Sequence, residues 1–432
     1  MSKFILELQW RSMLHDLTPG IEDFISKKPK SAYIGFDPTS DSLHIGNLVP
    51  IMLLAHFQRH GHKPIALIGG ATGMIGDPSG KSSERNLLDE QTLIFNQKKI
   101  KKQLSKFLIF DSKKDNDAEV LNNHDWMKSI SFLQFIRDYG KHISVNYMMA
   151  KDSVKNRISS ENASGMSYTE FSYQMVQGYD FLHLKRNYDC HIQMGGSDQW
   201  GNITTGMELI RRVDNDKGYA LTCPLITRAD GKKFGKSEQG NIWLDKTKTS
   251  VFRFYQYWLN TTDEDAEKFI KIFTFLGKSE IDELIHEHKK APHMRILQKK
   301  LAAEITTIVH SEEEMNKSSD ASNVLFSKNF HNEISKIDEK TFLEIFEGVP
   351  SAEIKYNELK AGMDIIKLLS EKTGFLSSNS AARRSLEENS ISVGFAPNIS
   401  IFQHIHKCFG TKNISPTIRK VWRGLFYSRQ ES

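Results

Sequence analysis

Cysteine is scarce: the 432 residues hold three, Cys190, Cys223 and Cys408, far apart and with no CxxC pair. That supports neither a disulfide framework nor a zinc knuckle, and a reducing cytoplasm is the expected compartment. Long apolar runs are missing too. None reaches the roughly 18–20 residues needed to span a bilayer. The N-terminal apolar stretch is broken by Glu7 and Gln9, so it does not read as a secretory signal. There is no internal repeat. Charge of one sign is also weak, at net +5. It is unevenly placed, however: residues 361–432 carry ten Lys/Arg against five Asp/Glu, which leaves the first 360 residues near neutral. The tail is thus either a polyanion-binding module or a solvated basic surface. Length and composition fit two or three soluble globular domains.

Two segments about 190 residues apart are informative: Phe36-Asp37-Pro38-Thr39-Ser40-Asp41-Ser42-Leu43-His44-Ile45-Gly46-Asn47 and Lys232-Lys233-Phe234-Gly235-Lys236-Ser237. Residues 31–36 read as a short buried strand, 48–60 as an amphipathic helix and 64–69 as a second strand. The pattern returns at 191–194, followed by a Gly-Gly-Ser-Asp-Gln turn and a helix through 208–212. Strand–helix–strand order with short turns predicts a parallel α/β sheet, with ligands at the carboxyl ends of its strands. Residues 251–259, 263–276, 280–288 and 294–309 read as helices, and the polar stretch 311–330 as a linker.

His44 and Asn47, i and i+3 at a helix start, share a face where backbone N–H groups and the helix dipole favour anions. Gly46 between them leaves room for a flat base. Taken alone the pattern is equally a capped helix with an incidental histidine. Lysines 232, 233 and 236 in one loop suit charge developing on a pyrophosphate leaving group, although most Lys-rich loops are solvated turns. The Gly-rich run 69–82 is not a P-loop: G-x-x-x-x-G-K would need glycine at 75, which is Ile75. It nonetheless supplies Asp77 and runs into a loop carrying Lys81 and Arg85. Tyr173, Gln177 and Asp180, at i, i+4 and i+7, form a polar stripe on one helical face.

Side by side, these segments resemble the bacterial-type tyrosyl-tRNA synthetases, a branch of the class I aminoacyl-tRNA synthetases. The matching runs are 33–47, 69–81, 168–181, 195–202 and 233–237, in the family's order over nearly the whole chain. The resemblance implies a Rossmann-like parallel-sheet catalytic domain with a dimerisation insertion (1–228). A Lys-rich signature loop and helical anticodon-side domain (229–320), a linker (321–360) and a small basic α+β RNA-binding domain (361–432) would follow. It also implies roles. His44 and Asn47 stand at the HIGH signature and Lys233 and Lys236 at KMSKS, both holding the triphosphate. Thr39, Lys81 and Arg85 assist as the transition state forms. Tyr33 and Asp180 contact the phenolic hydroxyl of substrate tyrosine, and Asp77, Tyr173 and Gln177 its ammonium. Gln199 lies near its carboxyl. Gly35, Asp37, Gly46 and Asp198 lie against the nucleotide, Asp198 at the ribose. Arg211 and Arg212 meet the tRNA acceptor end, and Arg383 and Arg384 belong to the RNA-binding tail.

Some positions depart from the family pattern. Asn47 replaces the second histidine of HIGH, though an amide still donates to phosphate. Phe234 and Gly235 replace Met and Ser of KMSKS. Ile34 stands where a small polar residue near the ribose is usual. The implied activity is tyrosine–tRNA ligation with ATP as substrate and Mg²⁺ beside it. Its partners are L-tyrosine, ATP and tRNA(Tyr), in a homodimer without membrane contact. Three rivals use much of the same pattern: a metabolite adenylyltransferase, a non-catalytic RNA-binding scaffold and a tryptophanyl enzyme.

Overall fold

The structure is a computed structural model that describes residues 2–79, 88–158, 165–229, 234–237, 240–324, 341, 351–353, 363–388, 391 and 425–427. Two compact units emerge, one of residues 1–250 with 257–311 and one of residues 251–256 with 312–432.

The larger unit is organised by a six-stranded sheet. Its strands are β1 (Asp16–Leu17), β2 (Ser31–Phe36), β3 (Lys63–Ile68), β4 (Glu119–Asn122), β5 (Cys190–Gly196) and β6 (Tyr219–Cys223), in the order β1-β6-β5-β2-β3-β4. All neighbours are parallel except β1, which runs antiparallel to β6 at one edge. β2, β3 and β5 are almost wholly buried, which is why they read as continuous apolar runs rather than alternating ones. The chain starts the parallel set in the middle at β2 and winds outward to β4. It then returns to β5 on the other side of β2, so strand order reverses between β2 and β5. A crevice opens at their carboxyl ends, where doubly wound sheets bind ligands.

The helix Leu48–Arg59 makes the β2-to-β3 crossover. It is buried over most of its circumference, from Leu48 through Gln58, because it lies between the sheet and further helices. Tyr168–Tyr188 and Trp200–Asp214 flank β5 and pack closely on each other. Gly178 meets the backbone of Gly206, where an added Cβ would come within 3.4 Å. Asp263–Phe273, Lys278–Lys290 and Ile296–Val309 form the helical part of this unit. The last starts two residues later than the sequence pattern suggests, because Arg295 takes a left-handed backbone (φ 52°).

In the smaller unit, the stretch from 311 expected to be a linker is helical over Glu312–Val324. Its polarity marks a solvated helix face rather than a loop: glutamates fill its first turn, where they complement the helix dipole. Ser351–Glu353 pairs in parallel with Leu425–Tyr427. The helix Asn379–Glu387 is capped by Ser378, whose hydroxyl accepts from the Ala381 N–H at 3.1 Å. No described helix is long and apolar enough to cross a membrane.

Candidate active site

A cavity of about 700 Å³ opens at the switch point between β2 and β5. Its floor is a polar hub built from four chain segments. Asp180, on the helix Tyr168–Tyr188, is 1% exposed. Its two carboxylate oxygens accept from Trp126 Nε1 and Asn123 Nδ2, each at 2.9 Å. Asn123 Nδ2 also reaches Thr72 Oγ1 (3.1 Å), which donates to Asp37 Oδ1 (2.7 Å). The other Asp37 oxygen accepts from the Tyr173 hydroxyl at 2.8 Å. The chain Asp180–Asn123–Thr72–Asp37–Tyr173 therefore crosses from the loop after β4 to the end of β2.

Burial dominates the electrostatics here. It raises the Asp180 carboxyl to about 7, although the hydrogen bonds from Asn123 and Trp126 pull the other way. Tyr33 and Tyr173 are held well above the ordinary phenol value, first by burial and then by the nearby charge of Asp180 and Asp37 respectively. Tyr33 thus carries its proton, yet its fully buried hydroxyl has no hydrogen-bond partner among the described residues. An orphan of this kind in a cavity wall is what a polar ligand would satisfy.

Asp77 lies across the cavity. It accepts from Gln199 Nε2 (2.8 Å), Asn202 Nδ2 (3.3 Å) and the Ser79 N–H (2.9 Å), and Gln177 Nε2 reaches Gln199 Oε1 at 3.4 Å. The stripe read from the sequence, Tyr173, Gln177 and Asp180, does face this one space, as do Tyr33, Gly35, Asp37, Thr39, Asp77, Asp198 and Gln199.

The mouth of the cavity joins the two remote sequence signatures. His44 precedes a single helical turn (Ile45–Asn47) and forms a reciprocal cap with Asn47. The Gly46 N–H donates to His44 Nδ1 (3.1 Å), while Asn47 Oδ1 accepts from the His44 N–H (3.0 Å). The Asn47 oxygen faces backbone, which leaves its NH₂ as the donating end. Gly46 is forced by this cap, since a Cβ there would fall 2.8 Å from the His44 ring. Gly235 packs directly onto it: its φ is 90°, and a Cβ on it would lie 3.3 Å from the Gly46 nitrogen. The backbones at Ile45 and Ile242 hydrogen-bond at 2.9 Å, and the His44 ring meets Trp243 edge to face. Phe234 faces the cavity and stacks on Phe273, with ring centroids 5.2 Å apart, which anchors the Lys-rich segment to the helical part of the unit. Ile34 also lines the cavity, an apolar patch where the sequence suggested a polar contact would be missing.

Lys81, Arg85 and Lys233 lie outside the described residues, and Lys236 is described by its backbone alone. Arg211 and Arg212 stand exposed on the helix Trp200–Asp214, both paired with Glu208, whose carboxyl Arg211 foremost draws down to about 2. Arg383 and Arg384 are exposed on Asn379–Glu387.

Sequence reading missed Thr72, Asn123, Trp126 and Asn202, and also Gln193, which lies on β5 and lines the cavity. Asn123 and Trp126 follow β4, so the rule about strand carboxyl ends would have flagged them had β4 been recognised. Its sequence, Glu-Val-Leu-Asn, is too short and half-exposed to stand out. The Gly-rich run gains a different explanation. A side chain on Gly69 would overlap Asp37 and Thr72, and one on Gly70 would overlap Asn122, so Gly69 makes room for the polar hub and Gly70 for its neighbour Asn122.

Comparison with known proteins agrees with this geometry. Residues 26–327 match the family described as tRNA synthetases class I (W and Y). The chain belongs to that family. It is 62% identical over 395 residues to the tyrosine–tRNA ligase of Flavobacterium johnsoniae and 58% identical over 390 residues to that of Bacteroides fragilis. The first match covers 91% of both chains, the second 90% of this chain and 91% of the relative. Among solved structures, a C-terminally truncated mitochondrial tyrosyl-tRNA synthetase of Aspergillus nidulans aligns with TM-score 0.67 at 30% identity. That alignment covers 76% of this chain and 95% of the other. The tyrosyl-tRNA synthetase of Archaeoglobus fulgidus shares the fold at 15% identity, with TM-score 0.53 over 73% of this chain and 99% of that one. As a class I synthetase the chain uses ATP as a substrate.

Proposed function

We propose that the protein is a tyrosine–tRNA ligase that selects its amino acid at the floor of this cavity. The observation that carries the reading is a buried Asp180 carboxylate close enough to act by charge on a Tyr33 hydroxyl that has no partner among the described residues. A phenol placed between them donates to Asp180 and accepts from Tyr33. Phenylalanine would leave both without that partner, which is expensive in a dry site. Tryptophan brings a donor with no acceptor, so it cannot answer the Tyr33 proton.

The substrate ammonium sits against Asp77, Tyr173 and Gln177, and its carboxylate near Gln199. The adenosine lies along Gly35, Asp37 and Gly46, with its ribose at Asp198. His44, Asn47, Lys233 and Lys236 hold the triphosphate, and Thr39, Lys81 and Arg85 meet the charge that builds up in the transition state. A tyrosine carboxylate oxygen attacks the α-phosphorus in line. The new O–P bond forms as the bond to the bridging oxygen breaks, and pyrophosphate leaves with the electron pair. Positioning and fixed charge do the work, without a covalent enzyme intermediate. A ribose hydroxyl at the tRNA 3′ end then attacks the tyrosyl carbonyl and releases AMP. Among the described residues no cluster of three or more His, Cys, Asp or Glu could hold a metal, so Mg²⁺ would be carried in with the phosphates, whose charge it would offset, without a dedicated protein cage.

Further parts of the reading concern the assembly. Phe132, Leu133, Ile136, Val145 and Met149 are all exposed within one stretch, between 41% and 78%, and support a homodimer formed through it. The segment 229–320, the Lys-rich loop with the helices that follow it, would form the anticodon-side domain. Arg211, Arg212, Arg383 and Arg384 would contact tRNA, and the compartment is cytoplasmic. Pyrophosphate exchange into ATP, measured with each of the twenty amino acids, tests the central claim. Exchange with tyrosine alone supports it, and exchange with another amino acid or with none refutes it.

A further inference from the structure

The Asp180 carboxylate is aimed by a side chain that itself needs aiming. Trp126 sits on the short helix His124–Met127, next to the cavity wall, and donates to Asp180 Oδ1. An indole with one hydrogen bond can still swing about its χ angles unless something fixes its plane. His183 supplies that contact. Its ring stacks on Trp126 with centroids 4.3 Å apart and planes 15° from parallel. Asp180 and His183 are i and i+3 on the helix Tyr168–Tyr188, so they project from the same face. One indole thus bridges both, stacked on His183 and hydrogen-bonded to Asp180. His183 is braced in turn by Tyr179 and Tyr188, with centroids at 6.1 and 6.3 Å, and Tyr179 packs on Tyr139 at 4.6 Å.

We propose that His183 is a positioning residue for tyrosine selection, acting through Trp126 to hold the Asp180 carboxylate toward the substrate phenol. The inference rests on the tyrosine reading of the cavity. His183 does not line the cavity. It is half-buried, and burial and Arg186 lower its basicity, so at neutral pH it stacks as an uncharged ring. Its contribution is that of a stacked aromatic pair, roughly two- to tenfold in an equilibrium. The effect falls on tyrosine because Trp126 donates to Asp180, which lines the end of the cavity proposed to take the phenol.

The test is a double-mutant cycle on the full chain, read by steady-state pyrophosphate exchange with tyrosine and ATP varied separately. His183→Leu is expected to raise KM for tyrosine about two- to tenfold, with KM for ATP unchanged. His183→Phe, which restores a flat ring, brings tyrosine KM back toward the wild type. Trp126→Phe keeps a stack but removes the N–H. In that background His183→Leu adds little, because the hydrogen bond it would misdirect is already gone. Thermal melting of each variant identifies any loss of folding, and His183→Phe remains informative if His183→Leu is unstable. The proposal is overturned by an unchanged tyrosine KM in His183→Leu, by equal losses for both substrates, by fully additive effects in the cycle, or by failure of His183→Phe to rescue. Wild-type protein that does not exchange with tyrosine refutes the activity and this inference together. Normal wild-type exchange with any of those four outcomes refutes this inference alone.

Discussion

Replacing Tyr33 by phenylalanine should stabilise the protein and impair it at once. The Tyr33 ring is fully buried and meets Phe181 edge to face at 5.5 Å, and phenylalanine would keep that contact. Only the hydroxyl changes. With no ligand it is desolvated and unpartnered among the described residues. A buried polar group left in that state costs about 1–3 kcal/mol. Removing the oxygen leaves a small void, which offsets part of the gain. A net stabilisation of about 1 kcal/mol is expected, or on the order of 2 °C in melting temperature for a domain of this size. Binding moves the other way. If the hydroxyl donates to the substrate phenol, its loss weakens tyrosine by about 0.5–1.5 kcal/mol, a factor of roughly two to ten, while phenylalanine is unaffected or gains. Thermal melts of wild type and Tyr33→Phe, with and without saturating tyrosine, give both signs in one experiment. The variant should melt higher when empty and gain less from tyrosine. A lower melting temperature would mean that the hydroxyl is satisfied within the protein. An unchanged tyrosine shift would mean that it does not face the substrate. Either result refutes the reasoning.

The remaining predictions probe other parts of the site and frame. Asp180 titrates near 7, among the uncharged Tyr33, Tyr173 and Tyr179 and the carboxylate of Asp37. The charged form accepts from a phenol, so KM for tyrosine should fall as pH rises through about 7, and Asp180→Asn should abolish that limb. The stability sign is opposite: the folded value lies above the unfolded one of about 3.9, so this group costs stability increasingly from pH 4 to 7 and fully above. Asp180→Asn should therefore raise the melting temperature more at pH 8 than at pH 4.5. Gly235→Ala places a methyl against the Gly46 nitrogen at a backbone angle that disfavours side chains. Its exchange rate at saturating substrates should drop about tenfold with tyrosine affinity unchanged, as binding measurements with tyrosine alone would check. His62 accepts from the Lys30 N–H and is held down to about 4, by burial first and then by His60. In the unfolded chain it titrates near 6.5, so the stability it gives is present above that pH and lost as pH falls toward 4. Urea midpoints should decline less between pH 7 and 4.5 in His62→Gln than in the wild type.

Much of this architecture is legible in the sequence because the responsible patterns are local. β2, β3 and β5 are short apolar runs ending in turn residues, and their parallel arrangement follows from the strand–helix–strand order. The stripe Tyr173, Gln177 and Asp180 is readable because helical spacing fixes its geometry whatever surrounds it. What escapes is whatever depends on contact between distant segments. Nothing in Asn122-Asn123-His124-Asp125-Trp126 marks two of those side chains as donors to a carboxylate more than fifty residues on. Nothing in Gly69-Gly70 separates room for a phosphate from room for Asp37, Thr72 and Asn122. The helix Glu312–Val324 was lost for a different reason, since composition alone does not separate a solvated helix from a linker.

On the proposed reading the cavity divides its labour by depth, and the division follows from solvation. At the floor, Trp126 bonds Asp180, Phe181 meets Tyr33 and Leu67 belongs to the same buried cluster, so a charge or an orphan hydroxyl is expensive there. Such groups discriminate strongly because a ligand that fails to pair with them inherits the whole cost. At the mouth, His44, Asn47, Gly46 and Gly235 are half-exposed or backbone groups, held by reciprocal capping and by two segments pressed together. On the proposed reading, water weakens the interactions there, which would lower selectivity while letting a highly charged triphosphate enter and leave. A mismatch at the floor should thus be felt mainly by the amino acid, and one at the mouth mainly by the rate. Asp180→Asn and Gly235→Ala are the pair that tests this. If both variants lost tyrosine affinity and rate in equal proportion, the separation by depth would fail, whatever the two substitutions did singly.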